Sequence, residues 1–245
     1  MKWHAEIERV DINAVQDLIE KQSSHSLMAD RDMRNVQQPP PSITEEDMWH
    51  SMIMCLITTQ NPSGAGSAIE SFLSKRPFPL SLKILKKLQD PDLYVKNELS
   101  ELRIRRWKTS SGFAHENFQK LEQGSWKQLI RLRQELMIPR SKSATHEHHV
   151  LERKAAQEVQ VFKGLGPKQS RNFWQNLGLT RYEIPLDSRV LRWLSKMLGF
   201  NIPSSCLSNE RFYSDVMDNI RNLCLEAEVL PCIFDAAIFS FYEAD

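Results

Sequence analysis

The chain has 245 residues, 32 Lys/Arg and 31 Asp/Glu, and therefore a formal net charge of +1. This length allows one large or two small domains that bury a sizeable core without disulfides or metal ions. The first 25 residues lack an apolar run behind a basic start, and no stretch of about 18 apolar residues occurs. We expect a cytoplasmic, nucleoid-associated or nuclear protein that neither crosses a membrane nor is secreted.

The charge is distributed unevenly along the chain. Residues 101–200 contain 19 Lys/Arg and 9 Asp/Glu (+10), residues 1–50 contain 5 and 10 (−5), and residues 201–245 contain 2 and 8 (−6). Phosphate binding depends on local electrostatic potential, so the basic middle segment predicts a polyanionic ligand despite the small total charge. The alternative is that these charges only follow solvent-exposed helix faces.

The cysteines do not indicate a metal centre. Cys55, Cys206, Cys224 and Cys232 are separated by 151, 18 and 8 residues, so no two thiolates share a short metal-binding loop. We expect reduced thiols that lie mostly in the core, and neither a metal nor another cofactor.

Apolar residues that recur every three or four positions, with only 8 glycines, predict an all-α protein. A first helix over 5–22 precedes a polar stretch and a linker at Pro39–Pro41. Thr44 and Asp47 form a capping box before a helix over 45–58. That helix is apolar on almost all sides and is expected to be central and buried.

The later helices are separated by clear turn and cap signals. Pro139 and the polar run after it interrupt the series, and we interpret His146, His148 and His149 as part of a solvated loop rather than a metal site. The predicted helices cover 64–74, 80–88, 91–99, 110–122, 125–135, 145–161, 167–177, 188–198, 209–226 and 231–243.

A short glycine hairpin joins two of these helices at Gly164-Leu165-Gly166. The turn requires torsions that glycine permits, and it presents backbone N–H groups beside a helix that begins with Pro167. Such a turn is a ready anion site, for which a DNA phosphate is a natural occupant. Taken alone, it could also be an ordinary helix–helix turn.

Two ionisable residues follow the hairpin. Lys168 lies in the first turn of the new helix, where the helix dipole and partial burial would lower its pKa and favour a neutral, nucleophilic amine. A solvated or phosphate-pairing lysine is the alternative. Asp187 immediately precedes the helix over 188–198, where an N-cap role would explain it fully, although a capping carboxylate can also face a cleft.

These motifs resemble those of the helix-hairpin-helix superfamily that contains endonuclease III and the 8-oxoguanine DNA glycosylases. The superfamily pattern is G-x-G-x-K followed about twenty residues later by P-x-D, which matches GLGPK at 164–168 and PLD at 185–187. The resemblance is closest to the compact, second or archaeal-like type of 8-oxoguanine DNA glycosylase, in which a lysine such as Lys163 precedes the hairpin. The iron–sulfur cysteines of endonuclease III are absent, Ser170 replaces a common alanine, and the insert at 139–150 is unfamiliar.

The resemblance implies a six-helix barrel at 46–180, with the helix-hairpin-helix motif at 150–177, and a second helical domain formed by 1–45 together with 181–245. It implies a monomeric base-excision-repair enzyme that binds double-stranded DNA containing a damaged base or an abasic site. Such an enzyme removes an oxidised purine such as 8-oxoguanine and cleaves the strand as an AP lyase, with Lys168 as nucleophile and Asp187 as catalytic carboxylate. The alternatives are a non-catalytic DNA-binding module and a monofunctional glycosylase in which Asp187 activates water.

The remaining site predictions concern phosphate contacts and the base pocket. An alternative for the last helix is that Phe239 is ordinary core and Asp235 is solvated. The phosphate-binding candidates are Gly164, Gly166, Lys163, Arg103, Arg105, Arg106 and Lys108, and the base-pocket candidates are Gln60, Asp235 and Phe239.

Overall fold

The computed structural model describes residues 6–37, 39–61, 64, 66–137 and 145–243, with the backbone alone at 145–147. Within them the secondary structure is helical and no strand occurs, which confirms the all-α prediction. The α-helices are Arg9–Gln22 (α1), Ser26–Arg31 (α2), Glu45–Ile57 (α3), Ala68–Ser74 (α4), Leu82–Leu85 (α5), Pro91–Glu101 (α6), Trp107–Lys120 (α7), Trp126–Leu136 (α8), Thr145–Glu158 (α9), Pro167–Asn176 (α10), Ser188–Leu198 (α11), Glu210–Glu226 (α12) and Pro231–Glu243 (α13).

Helix α3 is buried, as its composition predicts. The Thr44 hydroxyl accepts the Asp47 N–H at 3.2 Å, and the Asp47 carboxylate accepts the Thr44 N–H at 2.8 Å, so the predicted capping box begins the helix. Trp49 and Met52 are fully buried in the first of two hydrophobic cores. None of the helices in the described part of the chain is long and apolar enough to span a membrane.

The polar stretch after the first helix, for which no helix was predicted, is largely helical. Residues 26–31 form α2, and a π-helical turn covers Asp32–Val36. His25 caps α2 by accepting the Leu27 N–H at its Nδ1 atom, 3.2 Å away, and Met28 is buried. The segment is too short to show a helical period, and its packing against α13 is a tertiary effect.

The prediction of a solvated loop at the histidine cluster is wrong for His148. Helix α9 begins at Thr145, and His148 is 3% exposed with its Nδ1 atom against the Arg181 guanidinium. The side chain of His146 and residues 139–144 of the insert lie outside the described residues.

The buried side chains form two separate hydrophobic cores. One draws on residues from Ile43 to Leu179. The other combines α1 and α2 with residues from Ile184 to Ile238. This separation supports the predicted domains at 46–180 and at 1–45 with 181–245, whose bounds remain a prediction. Cys55, Cys224 and Cys232 are buried free thiols and Cys206 is partly exposed, which confirms reduced cysteines that lie mostly in the core.

An extended and buried connector, residues 179–186, joins the two cores. The Glu152 carboxylate accepts the backbone N–H groups of Arg181, Tyr182 and Glu183 at 2.7–2.9 Å. The Tyr213 hydroxyl accepts the Leu186 N–H at 2.6 Å and donates to the Ile184 carbonyl at 3.0 Å. Since buried backbone groups need partners, these bonds fix the path of the chain from α10 to Asp187.

Candidate active site

The two glycines of the hairpin have different structural roles. Gly164 has a φ of 80°, and a Cβ atom there would lie 2.3 Å from Leu56 Cδ2 and 3.0 Å from Phe113 Cδ2. Gly166 is the N-cap of α10 with φ −71° and ψ −174°, an extended conformation open to any residue, and nothing lies within 4 Å of its Cβ position. The expectation that the whole turn needs glycine therefore holds only for Gly164.

Lys168 is half-buried at the second position of α10 and lines a cleft beside the hairpin. The buried Cys55 thiol of α3 lies beneath this part of α10 and donates to the Gln169 carbonyl at 3.5 Å. Burial raises the pKa of Cys55 to about 12, although the nearby positive charge of Lys168 opposes that rise. The thiol is thus kept protonated and unreactive beneath α10.

Hydrogen bonds between α10, which carries Lys168, and the region of α3 hold α10 in place. Ser51 donates to the Phe173 carbonyl at 3.1 Å, and the Gln169 amide donates to the Thr59 hydroxyl at 2.8 Å. Ser51 and Cys55 are four residues apart and lie on one face of α3, and Thr59 follows at the same spacing just beyond the end of the helix. Helix α10 is therefore held in register along α3.

Asp187 caps α11, as its position predicts. Its Oδ1 atom accepts the N–H groups of Arg189 at 2.8 Å and Val190 at 3.1 Å. Its Oδ2 atom accepts Nε and Nη2 of Arg189, at 2.9 and 2.7 Å. The carboxylate also lines the cleft, so the capping interaction and exposure to a ligand occur together.

The last helix brings Asp235 and Phe239 to the same cleft. Asp235 is buried, and its Oδ2 atom accepts the Gln175 amide at 2.6 Å and Arg31 Nη1 at 3.0 Å. The alternative that Asp235 is solvated is therefore wrong. Burial raises the pKa of Asp235, Arg31 opposes the rise, and the negative charge of Asp187 adds to it. The Arg189 guanidinium carbon lies 3.7 Å from the centroid of the Phe239 ring.

The cleft assembles most of the predicted site residues. Its volume is about 1360 Å³, more than the roughly 300–1,000 Å³ of small-molecule pockets, and it therefore suits an extended ligand. Gln60 also lines it, at a φ of 60° just after α3. The predicted residues in its wall are Gln60, Gly164, Gly166, Lys168, Asp187, Asp235 and Phe239.

The predicted basic residues lie outside this wall. The Arg105 N–H donates to Asn61 Oδ1 at 2.9 Å, and Asn61 does line the cleft, so the basic segment adjoins its rim. The backbone of Lys163 forms two bonds with the Asn117 amide, at 2.8 and 2.9 Å, while its side chain is exposed. The other basic candidates that do not line the cleft are Arg103, Arg106 and Lys108.

The charged and amide side chains of Arg31, Gln175 and Arg189 are among the cleft residues that sequence reasoning missed. Arg31 lies in the polar stretch between the first predicted helix and the Pro39–Pro41 linker, for which no helix was predicted. Gln175 is seven residues after Lys168, and a separation of two helical turns could have indicated a shared face. Arg189 lies in the first turn of α11, where a cation is unfavourable unless it has a partner such as Asp187.

No metal-binding arrangement occurs within the part of the chain that the structure describes. No group of three or more His, Cys, Asp or Glu side chains there could hold an ion.

The fold is that of a class of DNA glycosylases of known structure. The 8-oxoguanine DNA glycosylase of Thermotoga maritima superposes with a TM-score of 0.68 at 18% identity, over 96% of this chain and 98% of its own. The Methanocaldococcus jannaschii 8-oxoguanine DNA glycosylase has a TM-score of 0.61 at 14% identity, over 94% of both chains.

A second Methanocaldococcus jannaschii structure, an 8-oxoguanine glycosylase/lyase in complex with a 15mer DNA containing 8-oxoguanine, has a TM-score of 0.63 at 15% identity. That superposition covers 94% of this chain and 98% of the other. No protein-family model matches the sequence, and neither does any curated protein. At these identities the comparison establishes a shared fold.

Proposed function

We propose that this protein is a DNA glycosylase with an associated AP lyase activity, whose substrate is double-stranded DNA containing an oxidised purine such as 8-oxoguanine, or an abasic site. The observation that carries the proposal is the presence of Lys168 and Asp187 in the wall of one cleft, on either side of the connector. The names of the proteins that share the fold also support it.

The hairpin is the proposed clamp for a DNA phosphate. Gly164 allows the turn to lie close to α7. Gly166 is the N-cap of α10, and the backbone N–H groups at this end of the helix can bind an anion. Lys163 is exposed beside the turn, and Arg103, Arg105, Arg106 and Lys108 extend positive charge from the rim. Phosphate contacts of this kind position the protein on DNA without reading its sequence.

The proposed reaction begins with a nucleotide turned out of the duplex into the cleft, since a stacked base is unreachable. The neutral Lys168 amine attacks C1′, and the bond from C1′ to the base breaks with its electron pair, so that the base leaves and takes up a proton. Loss of a proton from the nitrogen and opening of the sugar ring give an imine between Nζ and C1′. Removal of a proton from C2′ then expels the 3′ phosphate by β-elimination.

Asp187 is the proposed electrostatic and proton-handling partner. Its hydrogen bonds from α11 and Arg189 hold its orientation. A fixed carboxylate can stabilise the positive charge that develops on the sugar as the base departs. It can also accept the proton that Lys168 must release.

The base pocket is the third part of the proposal. Gln60, Asp235 and Phe239 line the cleft, and Asp235 and Phe239 lie one helical turn apart on α13. A carboxylate and an aromatic ring at this spacing can address the same flat ligand.

Borohydride trapping tests the proposal. A duplex with one abasic site, incubated with the protein and borohydride, should give a covalent complex because the imine is reduced to a stable amine. Lys168→Gln should abolish trapping while duplex binding is retained, and Lys163→Gln, which removes the exposed lysine of the hairpin, should still be trapped.

Two other results would contradict the assignment. Trapping by Lys168→Gln as strong as in the wild type would move the role to another amine. Release of 8-oxoguanine without any trapped complex would indicate a monofunctional glycosylase, and tight binding to duplex DNA without base release or cleavage would indicate a non-catalytic module.

A further inference from the structure

Arg31 reaches the cleft from a part of the chain far from the motif residues. It is the last residue of α2, and its Nη1 atom lies 3.0 Å from Asp235 Oδ2 on α13. The two side chains are 17% and 11% exposed, and both line the cleft. The proposed nucleophile, the proposed catalytic carboxylate and this ion pair therefore share one cavity.

The ion pair leaves hydrogen-bonding atoms free on both partners. Arg31 uses only Nη1, for Asp235 and for a long bond of 3.5 Å to the Cys232 carbonyl. Asp235 uses only Oδ2, which also accepts the Gln175 amide. Within the described residues, Nε and Nη2 of Arg31 and Oδ1 of Asp235 have no partner, and none of the three is fully enclosed. They are available to a ligand in the cleft.

A free acceptor beside free donors is complementary to a ring edge that carries N–H next to C=O. Purines oxidised at C8 have this edge, because N7 bears a proton and C8 bears an oxygen. Intact guanine presents a lone pair at N7 and a C–H at C8 instead. It would place that lone pair against the carboxylate and leave the guanidinium without an acceptor, an arrangement that costs binding free energy.

We propose that Arg31 and Asp235 together recognise the C8=O and N7–H edge of the extruded base, so that the substrate class is the 8-oxopurines, 8-oxoadenine as well as 8-oxoguanine. This inference rests on the proposed function. Arg31 donates to the C8 oxygen, Asp235 Oδ1 accepts the N7 proton, and the Phe239 ring, one turn from Asp235, borders the base.

The pairing also supports the charge state that recognition needs. Burial raises the pKa of Asp235, and the Arg31 guanidinium counteracts that rise. An ionised carboxylate is an acceptor at both oxygens, so Arg31 helps to keep Oδ1 able to accept the N7 proton. Arg31 is thus assigned to specificity, while Lys168 and Asp187 are assigned to bond breaking.

A substrate series tests which edge is recognised. Single-turnover base release should occur with 8-oxoguanine and 8-oxoadenine in otherwise identical duplexes. Hypoxanthine, which has N1–H and C6=O but neither N7–H nor C8=O, should be released at least about a hundredfold more slowly. Release of hypoxanthine at a rate similar to that of 8-oxoguanine, or no release of 8-oxoadenine, would overturn the proposal.

Arg31→Lys tests the residue, because lysine keeps a positive charge but loses the forked donors. Release of 8-oxoguanine should fall about tenfold or more, while cleavage of a preformed abasic site, which has no base to recognise, should stay near wild type. Arg9→Lys, at the exposed start of α1, is the matched control and should change neither rate.

Each remaining outcome decides against the inference. Equal losses of base release and abasic-site cleavage, with a lower unfolding temperature, would make the ion pair purely structural. Unchanged base release by Arg31→Lys would remove Arg31 from recognition and leave the proposed function intact. A wild-type protein that neither releases 8-oxoguanine nor cleaves abasic sites would overturn the proposed function and this inference together.

Discussion

At the scale of single residues, two glycines of the same hairpin are under different steric constraints. Gly164 occupies the left-handed region, and its missing Cβ leaves room for Leu56. Gly166 has ordinary torsions and open space around it. The difference cannot be read from the G-x-G motif, because it depends on what α3 and α7 place against the turn.

These constraints predict different effects of the same substitution. Gly164→Ala should lower the free energy of unfolding by more than about 2 kcal/mol, because a strained φ adds to the overlap with Leu56. Gly166→Ala should change it by less than about 0.5 kcal/mol. Denaturant unfolding of the two variants measures both values, and similar losses would contradict the described hairpin.

Asp187 shows that a structural role and a proposed chemical role need not compete. The cap uses Oδ1 for two backbone N–H groups, while Oδ2 accepts the Arg189 side chain, and Asp187 also lines the cleft. A satisfied N-cap is therefore no argument against a functional carboxylate at the same position.

At the scale of elements, the connector between the two cores helps to position the site. It carries the chain from α10, with Lys168, to Asp187, and residues 179–186 are buried. Glu152 of α9 binds three of its N–H groups. Arg171 of α10 binds Glu183 in the connector at 2.7 Å. The connector is therefore tied to α9 and α10, the helices that come before and after the hairpin.

The burial of Glu152 predicts a pH dependence of stability. Burial raises its pKa from 4.5 to about 7, against the opposing effect of the three N–H groups and Arg181. The folded protein thus retains a proton that the unfolded chain loses between these values. The free energy of unfolding should therefore fall as the pH rises from about 4.5 to about 7.

Unfolding of the wild type and of Glu152→Gln across this pH range tests the assignment. The variant lacks the Glu152 carboxyl group, so its slope should be shallower, and the raised pKa of Asp235 contributes to the slope of both proteins with the same sign. Glu226→Gln, at the exposed end of α12, should keep the wild-type slope. A Glu152→Gln slope equal to that of the wild type would show that Glu152 is ionised in the folded protein throughout the range.

At the scale of the whole molecule, the charge segregation along the chain is partly cancelled in space. Arg171 is fully buried and pairs with Glu183 and with Glu210, 2.7 Å from each carboxylate. Arg153 pairs with Asp218 at 2.6 Å. The basic middle of the chain and its acidic C-terminal part therefore neutralise each other along α9, α10 and α12. The charge available to DNA is smaller than the +10 count suggests.

The remaining exposed cations predict a salt-dependent affinity for duplex DNA. If Arg105 contacts a phosphate, Arg105→Gln should reduce the slope of log K against log salt by about 0.9. Arg131→Gln, which removes a cation already paired with Glu135 and Glu158, should leave the slope unchanged. Titrations at several salt concentrations measure the slopes. A wild-type affinity that is independent of salt would exclude phosphates as the main contacts.

The sequence by itself determined the features that depend on residues close together in the chain. The helical period, the capping box at Thr44 and the cap at Asp187 arise within one or two turns. The hairpin and the position of Lys168 are equally local. These interactions join groups that are close together in the chain and need no distant partner, and for this reason the all-α class and the motif residues could be predicted.

Only the tertiary structure decided which distant groups meet. Arg31 and Asp235 are 204 residues apart, and their ion pair exists because α2 packs against α13. His148 is buried because Arg181 in the connector lies against it. A polar side chain in a short or irregular segment has the same local pattern whether it faces water or a cleft. Its environment is set by the free energy of packing the two cores together, and the helical periodicity of the sequence contains no information about that packing.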